Sequence, residues 1–295
     1  MVTTRSAQKP TQRATRSSPR STSTKSQDEQ RARSPATTRL IDNALRLTIA
    51  VSVALSVARL QGALSALPGP WVNRAVVFGR ASWTCNAMWK KAGCTAPAAK
   101  HLHHFVTMIV AGYGGGILCP ILLGDGGAPA PLTNDTIPAM CLLAWVLFFR
   151  TNFGALYNRI PVKLCAIAAE SMFKAGLIVK MSAKAHAALG SLAGPLVIGT
   201  VAGCGGAFTS SADLSALAAL PSGVVEAFWA SVFVNLGAWP TTYLAALGVQ
   251  TPTFLSELSE RTIQTALTAS LAGLTVHHEL ALVGLVSRRR DGPLQ

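Results

Sequence analysis

From residue 44 onward the chain is a succession of apolar stretches separated by short polar breaks. Stretches at 44–64, 102–123, 137–157, 161–181, 191–210, 222–247 and 262–286 each reach the roughly 20 residues needed to cross a hydrocarbon core about 30 Å thick. Isolated strands cannot satisfy their backbone groups in lipid, so helices are predicted. Prolines punctuate the breaks: Pro68 and Pro70 after the first stretch, Pro129 and Pro131 after the second, then Pro161, Pro195, Pro221 and Pro252. The pattern predicts an all-α polytopic membrane protein with seven spans and no room for a soluble domain.

Residues 1–40 break this pattern. They are Ser, Thr, Arg, Lys, Gln and Pro with almost no large apolar side chain, too little to bury a core, which predicts a disordered basic tail. Their Arg/Ser/Thr richness also matches an organelle transit peptide. The predicted organisation is this tail, a transmembrane domain over 41–287, and a basic cytosolic tail over 288–295.

Composition strengthens the membrane reading. Half the residues are apolar and only 13% are charged, against about 25% in soluble domains. Half of the formal charge of +14 lies in the first 40 residues, and no basic patch interleaved with aromatics or zinc spacing follows, which argues against nucleic acid. The six cysteines are scattered singly with no CxxC pair, so neither a metal site nor a redox motif is predicted. The groups of a serine hydrolase elbow, a zinc-protease helix or a phosphate loop are absent from the sequence, which excludes those enzyme classes.

The short polar segments set orientation. Arg74, Arg80, Lys90, Lys91 and Lys100 are read as the first loop, Asp125 and Asp135 mark the second, Arg150, Arg159 and Lys163 the third, and Arg288, Arg289 and Arg290 follow the last span. The positive-inside rule places the basic segments in the cytosol and the amino terminus on the opposite face.

Two apolar stretches carry the same cluster at their centre: Ala111-Gly112-Tyr113-Gly114-Gly115 and Ala202-Gly203-Cys204-Gly205-Gly206. Matched Gly-interrupted segments in two halves of a membrane protein mark a repeat with a working site between its copies. Clustered small residues also permit plain close packing of helices, and both readings stand at this point. Glu170 and Lys174 lie deep in the fourth stretch, four residues apart and able to pair along one helix face. His101, His103 and His104 open the second stretch, and His277, His278 and Glu279 fall inside the last, with a contact to another helix or a proton-sensitive role both open. Asn235, near Trp239 and Pro240, is read as either a polar contact between helices or a pore-lining group.

From about residue 101 to 211 the order of pieces resembles the trimeric intracellular cation (TRIC) channels of endoplasmic and sarcoplasmic reticulum. The pieces are Tyr113-Gly114-Gly115-Gly116-Ile117-Leu118, Leu122-Leu123-Gly124-Asp125, Trp145-Val146-Leu147-Phe148-Phe149, Tyr157, Pro161-Val162-Lys163-Leu164, and Gly199-Thr200-Val201-Ala202-Gly203-Cys204-Gly205. The resemblance implies two inverted three-helix repeats plus a final helix, a homotrimer, and a potassium-permeable pore in each protomer. It implies that the second and fifth helices break at glycines, here Gly112, Gly114, Gly115 and Gly116 with Gly199, Gly203, Gly205 and Gly206. The family's fourth helix carries Lys-Glu-Val and then an arginine that hold a phosphoinositide. Here, counted without gaps, Glu170 takes the lysine position, Ser171 the glutamate position and Lys174 the arginine position; shifted by one, Glu170 is the glutamate and Ala169 stands at the lysine position, so either register lacks one basic ligand. Lys174 is thus the candidate for a lipid phosphate, Glu170 a tuning group, and a phosphoinositide the one lipid ligand implied, with no other cofactor. A basic residue in the family's fifth helix is replaced by Ala202.

The expected function is a potassium channel supplying counter-ion current during calcium release, in the endoplasmic reticulum or nuclear membrane. The transit-like tail leaves a plastid or mitochondrial membrane open. The alternatives are a secondary transporter with a broken-helix substrate site and a non-conducting scaffold that binds membrane lipid.

Overall fold

The computed structural model describes residues 35–64, 69–91, 101–210, 222–246, 248–250, 252 and 258–290. The regular structure among the described residues is helical, without strands. In chain order the helices are α1 Pro35–Leu64, α2 Gly69–Lys91, α3 His101–Leu123, α4 Ala130–Thr133, α5 Thr136–Arg150, α6 Phe153–Tyr157, α7 Ile160–Leu189, α8 Ala193–Ser210, α9 Ser222–Ala238, α10 Pro240–Ala246 and α11 Glu260–Arg290. The chain divides into two units, Met1–Leu45 and Arg46–Gln295. Of the first, residues 35–45 are described and are helical; the packing and the site below lie in the second.

The main correction is α2. The segment read as the first loop, including Arg74, Arg80, Lys90 and Lys91, is a helix of 23 residues. Its basic residues hid it, because a window containing them has little net hydropathy. They are helical residues rather than loop charges, so the orientation argument loses them as short-loop evidence. Lys100, from the same segment, lies outside the described residues.

Other boundaries shift for local reasons. α1 already begins at Pro35, inside the stretch assigned to the tail, and α11 runs through Arg288, Arg289 and Arg290; the rest of both tails lies outside the described residues. The stretch 137–157 is interrupted between α5 and α6, where the Thr151 hydroxyl accepts from the Phe153 amide at 3.1 Å. α7 passes the expected end at residue 181 and stops at Leu189, where Gly190 takes the left-handed conformation, φ 57°, that glycine adopts most readily. Among the described residues two stretches are long and apolar enough to cross a membrane, Asn43–Ala63 and Leu102–Leu123; Thr136–Arg150, Ala193–Gly206 and Gly223–Ala238 are apolar but shorter.

The packing falls into two sets. α2 packs with α3 and α5 around Tyr113, Trp145, Phe148 and Tyr157. α7, α8, α9 and α11 pack around Ala175, Ile178, Ala202, Val234 and Leu267. The sets meet first helix to first and second to second, α2 against α7 and α3 against α8, and the α3–α8 contact is the most extensive of all. A smaller core joins α1, α7 and α11 through Val57, Ile167, Ala168 and Ala272.

Candidate functional site

α3 and α8 are continuous through their glycines, so the helix breaks implied by the resemblance are absent. The glycines instead let two backbones touch. A Cβ on Gly115 would fall on the Ala202 carbonyl, one on Gly205 on the backbone of Gly114 and Gly115, and one on Gly206 on the Ala111 carbonyl oxygen. Only hydrogen fits at these positions, which is the close-approach use of glycine in membrane helices. The crossing therefore brings together Gly114, Gly115, Gly205 and Gly206.

The remaining candidate glycines face other neighbours. A Cβ on Gly112 would lie 3.3 Å from the Thr84 hydroxyl of α2, and one on Gly116 would lie 3.7 Å from the Cβ of Ala130 in α4. Gly199 sits over the hydroxyls of Ser182 and Ser231, and Gly203 against Ile178 and Ala227. The second cluster thus serves two interfaces at once, α8 with α3 and α8 with α7 and α9.

Beside the crossing lies a cluster of ionisable groups. Arg80 of α2 donates from Nε to the Gly112 carbonyl at 2.8 Å and from a terminal nitrogen to Glu170 Oε1. Its guanidinium lies over the Phe173 ring at 5.8 Å, and Phe173 meets Tyr113 edge-on at 5.3 Å. Lys174 Nζ is 3.5 Å from the same carboxylate oxygen. Glu170 is thus shared by two cations, giving a local excess of one positive charge. The Glu170 side chain is 3% exposed and Arg80 12%, so each charge depends on the others to offset its desolvation. Glu170 Oε2 and the Ser171 hydroxyl are buried without a hydrogen-bond partner.

Sequence reasoning placed Glu170 and Lys174 together, and they are. It missed Arg80, the residue that ties α2, α3 and α7 into one cluster. The signal was present: Arg80 follows the apolar run Ala75 to Phe78 and Gly79, and an arginine flanked by apolar residues in a membrane chain calls for an internal partner.

Lys174 also borders a cavity of about 10 Å³, with Gly203, Glu226 and Leu271, room for about one water. Glu226 of α9 faces His278 of α11, Oε1 to Nδ1 3.7 Å, and Glu279 pairs with Lys163 of α7. His278 and Glu279 of the last helix thus contact neighbouring helices. Asn235 is fully buried, donating to the Ser231 carbonyl at 2.8 Å and accepting from the Tyr243 hydroxyl at 3.2 Å. His104 packs against Phe149 at 5.9 Å, and among the described residues no group of three or more His, Cys, Asp or Glu could hold a metal.

No protein-family model and no curated protein matches the sequence. Among solved structures the chain matches a trimeric intracellular cation channel from C. elegans with bound Ca2+, at TM-score 0.50 and 14% identity, covering 80% of this chain and 97% of that one. The two chains share a fold. The glycine crossing and the Arg80–Glu170–Lys174 cluster described above belong to this chain's own packing.

Proposed function

We propose that the protein is a cation channel of an intracellular membrane, permeable to potassium and assembled as a homotrimer with one route per protomer. The two helix sets are read as inverted repeats, α2, α3 and α5 against α7, α8 and α9, with α11 as the final helix and α1 as an addition at the amino-terminal side. The like-to-like meeting of α2 with α7 and α3 with α8 supports that reading, because a two-fold relation between repeats pairs equivalent helices at the axis. The fold shared with a cation channel supports the function.

The observation that carries the proposal is the buried Arg80–Glu170–Lys174 cluster against the crossing of the two glycine helices. Charge at membrane depth is costly and marks ion pathways or relays. In this conformation the route is shut: the backbones of α3 and α8 touch at Gly115 and Gly205, and Arg80 bonds the α3 carbonyl at Gly112. Opening requires Arg80 to release Gly112 and the helices to part, which would free carbonyls and Glu170 to face a permeating cation. Lys174, partly exposed, is the group proposed to meet a lipid phosphate such as a phosphoinositide and to draw the cluster open. Endoplasmic reticulum or nuclear membrane is the proposed location, with counter-ion flow during calcium release the proposed role.

The test is single-channel recording of the purified protein in planar bilayers under asymmetric potassium chloride. Discrete openings that reverse near the potassium equilibrium potential are expected. A bilayer that stays silent with phosphoinositide and calcium added would remove the channel reading.

A further inference from the structure

A chain of charged groups of alternating sign runs from the surface to the buried cluster. His278 of α11 stands with Nδ1 3.7 Å from Glu226 Oε1 of α9. Glu226 and Lys174 of α7 border the same one-water cavity, and Lys174 is 3.5 Å from Glu170, which Arg80 also holds. Exposure falls along this order, from 51% at the His278 side chain through 22% at Glu226 to 3% at Glu170. Four helices, α11, α9, α7 and α2, are thereby joined through charge.

The balance of the chain depends on one titratable group. With His278 neutral, Lys174 and Arg80 are matched by Glu170 and Glu226, and Lys174 is the cation across the cavity from Glu226. With His278 protonated, Glu226 has a cation of its own on α11, and Lys174 is left to Glu170. At 3.7 Å the contact of His278 with Glu226 is too long for a firm hydrogen bond, so its strength follows the imidazole charge. Histidine ordinarily changes charge between pH 5 and 8.

The surroundings of His278 leave Glu226 as its carboxylate partner. On its own helix, Glu279 is turned to Lys163 of α7, and the His277 ring lies 6.4 Å from the His278 ring. α1 meets α11 through Val53 and Val57 and through the Ala50 carbonyl beside Gly273. Lys163 is in the first turn of α7, which places the neighbouring His278 near an end of the helix bundle, within reach of water.

We propose that His278, Glu226 and Lys174 form a proton-operated switch on the Arg80–Glu170 cluster. Protonated His278 holds Glu226 against α11 and leaves Lys174 on Glu170, which keeps the route shut. Loss of that proton to water releases Glu226 toward Lys174 across the one-water cavity. Glu226 then acts as an internal anion that draws Lys174 off Glu170, the part given above to a lipid phosphate. The route therefore opens as pH rises through the range in which histidine titrates. The proposal rests on the channel reading and adds proton control to it.

The test follows the full-length protein in proteoliposomes at about pH 5.5 and about pH 8, by potassium efflux and by hydrogen exchange of residues 222–230 and 274–282 corrected for the intrinsic effect of pH. In the parent, efflux should be several-fold faster at the higher pH, and both segments should be better protected at the lower. His278→Gln should give fast efflux and weak protection at both. His278→Lys, which keeps a cation facing Glu226, should give slow efflux and strong protection at both. Glu226→Gln removes the anion and should give slow efflux with weak protection, a combination that mere loosening of α9 from α11 would not produce. If one substitution at 278 prevents insertion, the other still decides. Efflux from His278→Gln that keeps the parent's pH dependence would overturn the switch, as would fast efflux from Glu226→Gln at the higher pH. Silence of every protein, with exchange following His278 as described, would refute the channel alone. Conduction that ignores His278 would refute the switch alone.

Discussion

The core of α2, α3, α5 and α6 and the core of α7, α8 and α9 hold similar helices together by different means. In the first, Phe148 meets Trp89, Phe153 and Tyr157 with ring centroids 5.1 to 6.2 Å apart, and Gly154 seats the Trp89 indole. In the second, aliphatic side chains such as Ile178, Val234 and Leu267 pack beside a buried set of hydrogen bonds. Ser231 donates to the Leu196 carbonyl at 2.9 Å, Asn235 joins Ser231 and Ser182, and Tyr243 closes the network onto the Leu192 carbonyl at 2.8 Å. Lipid removes most of the hydrophobic gain between helices, so association rests on dispersion contacts or on close approach with hydrogen bonds. The first core rests on ring packing, and the second adds buried hydrogen bonds to aliphatic packing. α8 packs in the second core and turns its remaining glycines to α3, where the two backbones touch.

The largest effect is expected at that crossing. Gly206→Leu places a side chain on the Ala111 carbonyl, and the variant should lose its cooperative thermal transition in detergent. Gly62→Leu, where nothing lies within 4 Å, should melt as the parent does. Equal melting of both variants would show that the crossing does not hold the two sets together.

Next in size is the charge cluster. Arg80→Met alone leaves Glu170 with only Lys174, and loss of one partner of a buried pair costs about 3–5 kcal/mol. Arg80→Met with Glu170→Met should recover most of that loss in chemical unfolding. No recovery would mean that Arg80 acts through its Gly112 bond rather than through the pair.

The two cores can also be compared directly. Phe148→Ala opens a cavity in the aromatic core at about 3–5 kcal/mol. Asn235→Ala, in the polar core, should cost only about 0.6–2 kcal/mol, the range for hydrogen bonds between membrane helices. The reverse order in unfolding measurements would contradict the division between ring packing and polar packing.

Much of this was legible in sequence, in proportion to how uniformly apolar each segment is. α3, α8 and α9 announce themselves because their charges are few, and the two glycine clusters were found because close backbone approach leaves a composition signature. α2 was missed since its polarity is satisfied inside the protein: Arg80 by Glu170 and Gly112, and Asn86 by Asn158. A sliding hydropathy reading counts such groups as if they faced lipid. The glycine clusters also misled in one respect, because glycine serves a kink and a close approach equally well, and here α3 and α8 stay helical and touch. The pairing of Ser182 with Asn235 across 53 residues has no local pattern to reveal it.

The most direct measurement is potassium efflux from proteoliposomes holding either the parent protein or the double variant Arg80→Met, Glu170→Gln, which removes the bond to Gly112 without leaving an unpaired carboxylate. If Arg80 holds the glycine crossing shut across a cation route, the variant should release potassium several-fold faster than the parent, with chloride release unchanged. Equal potassium efflux from the two, at matched insertion and thermal stability, would contradict a route gated at Gly112, Gly115 and Gly205.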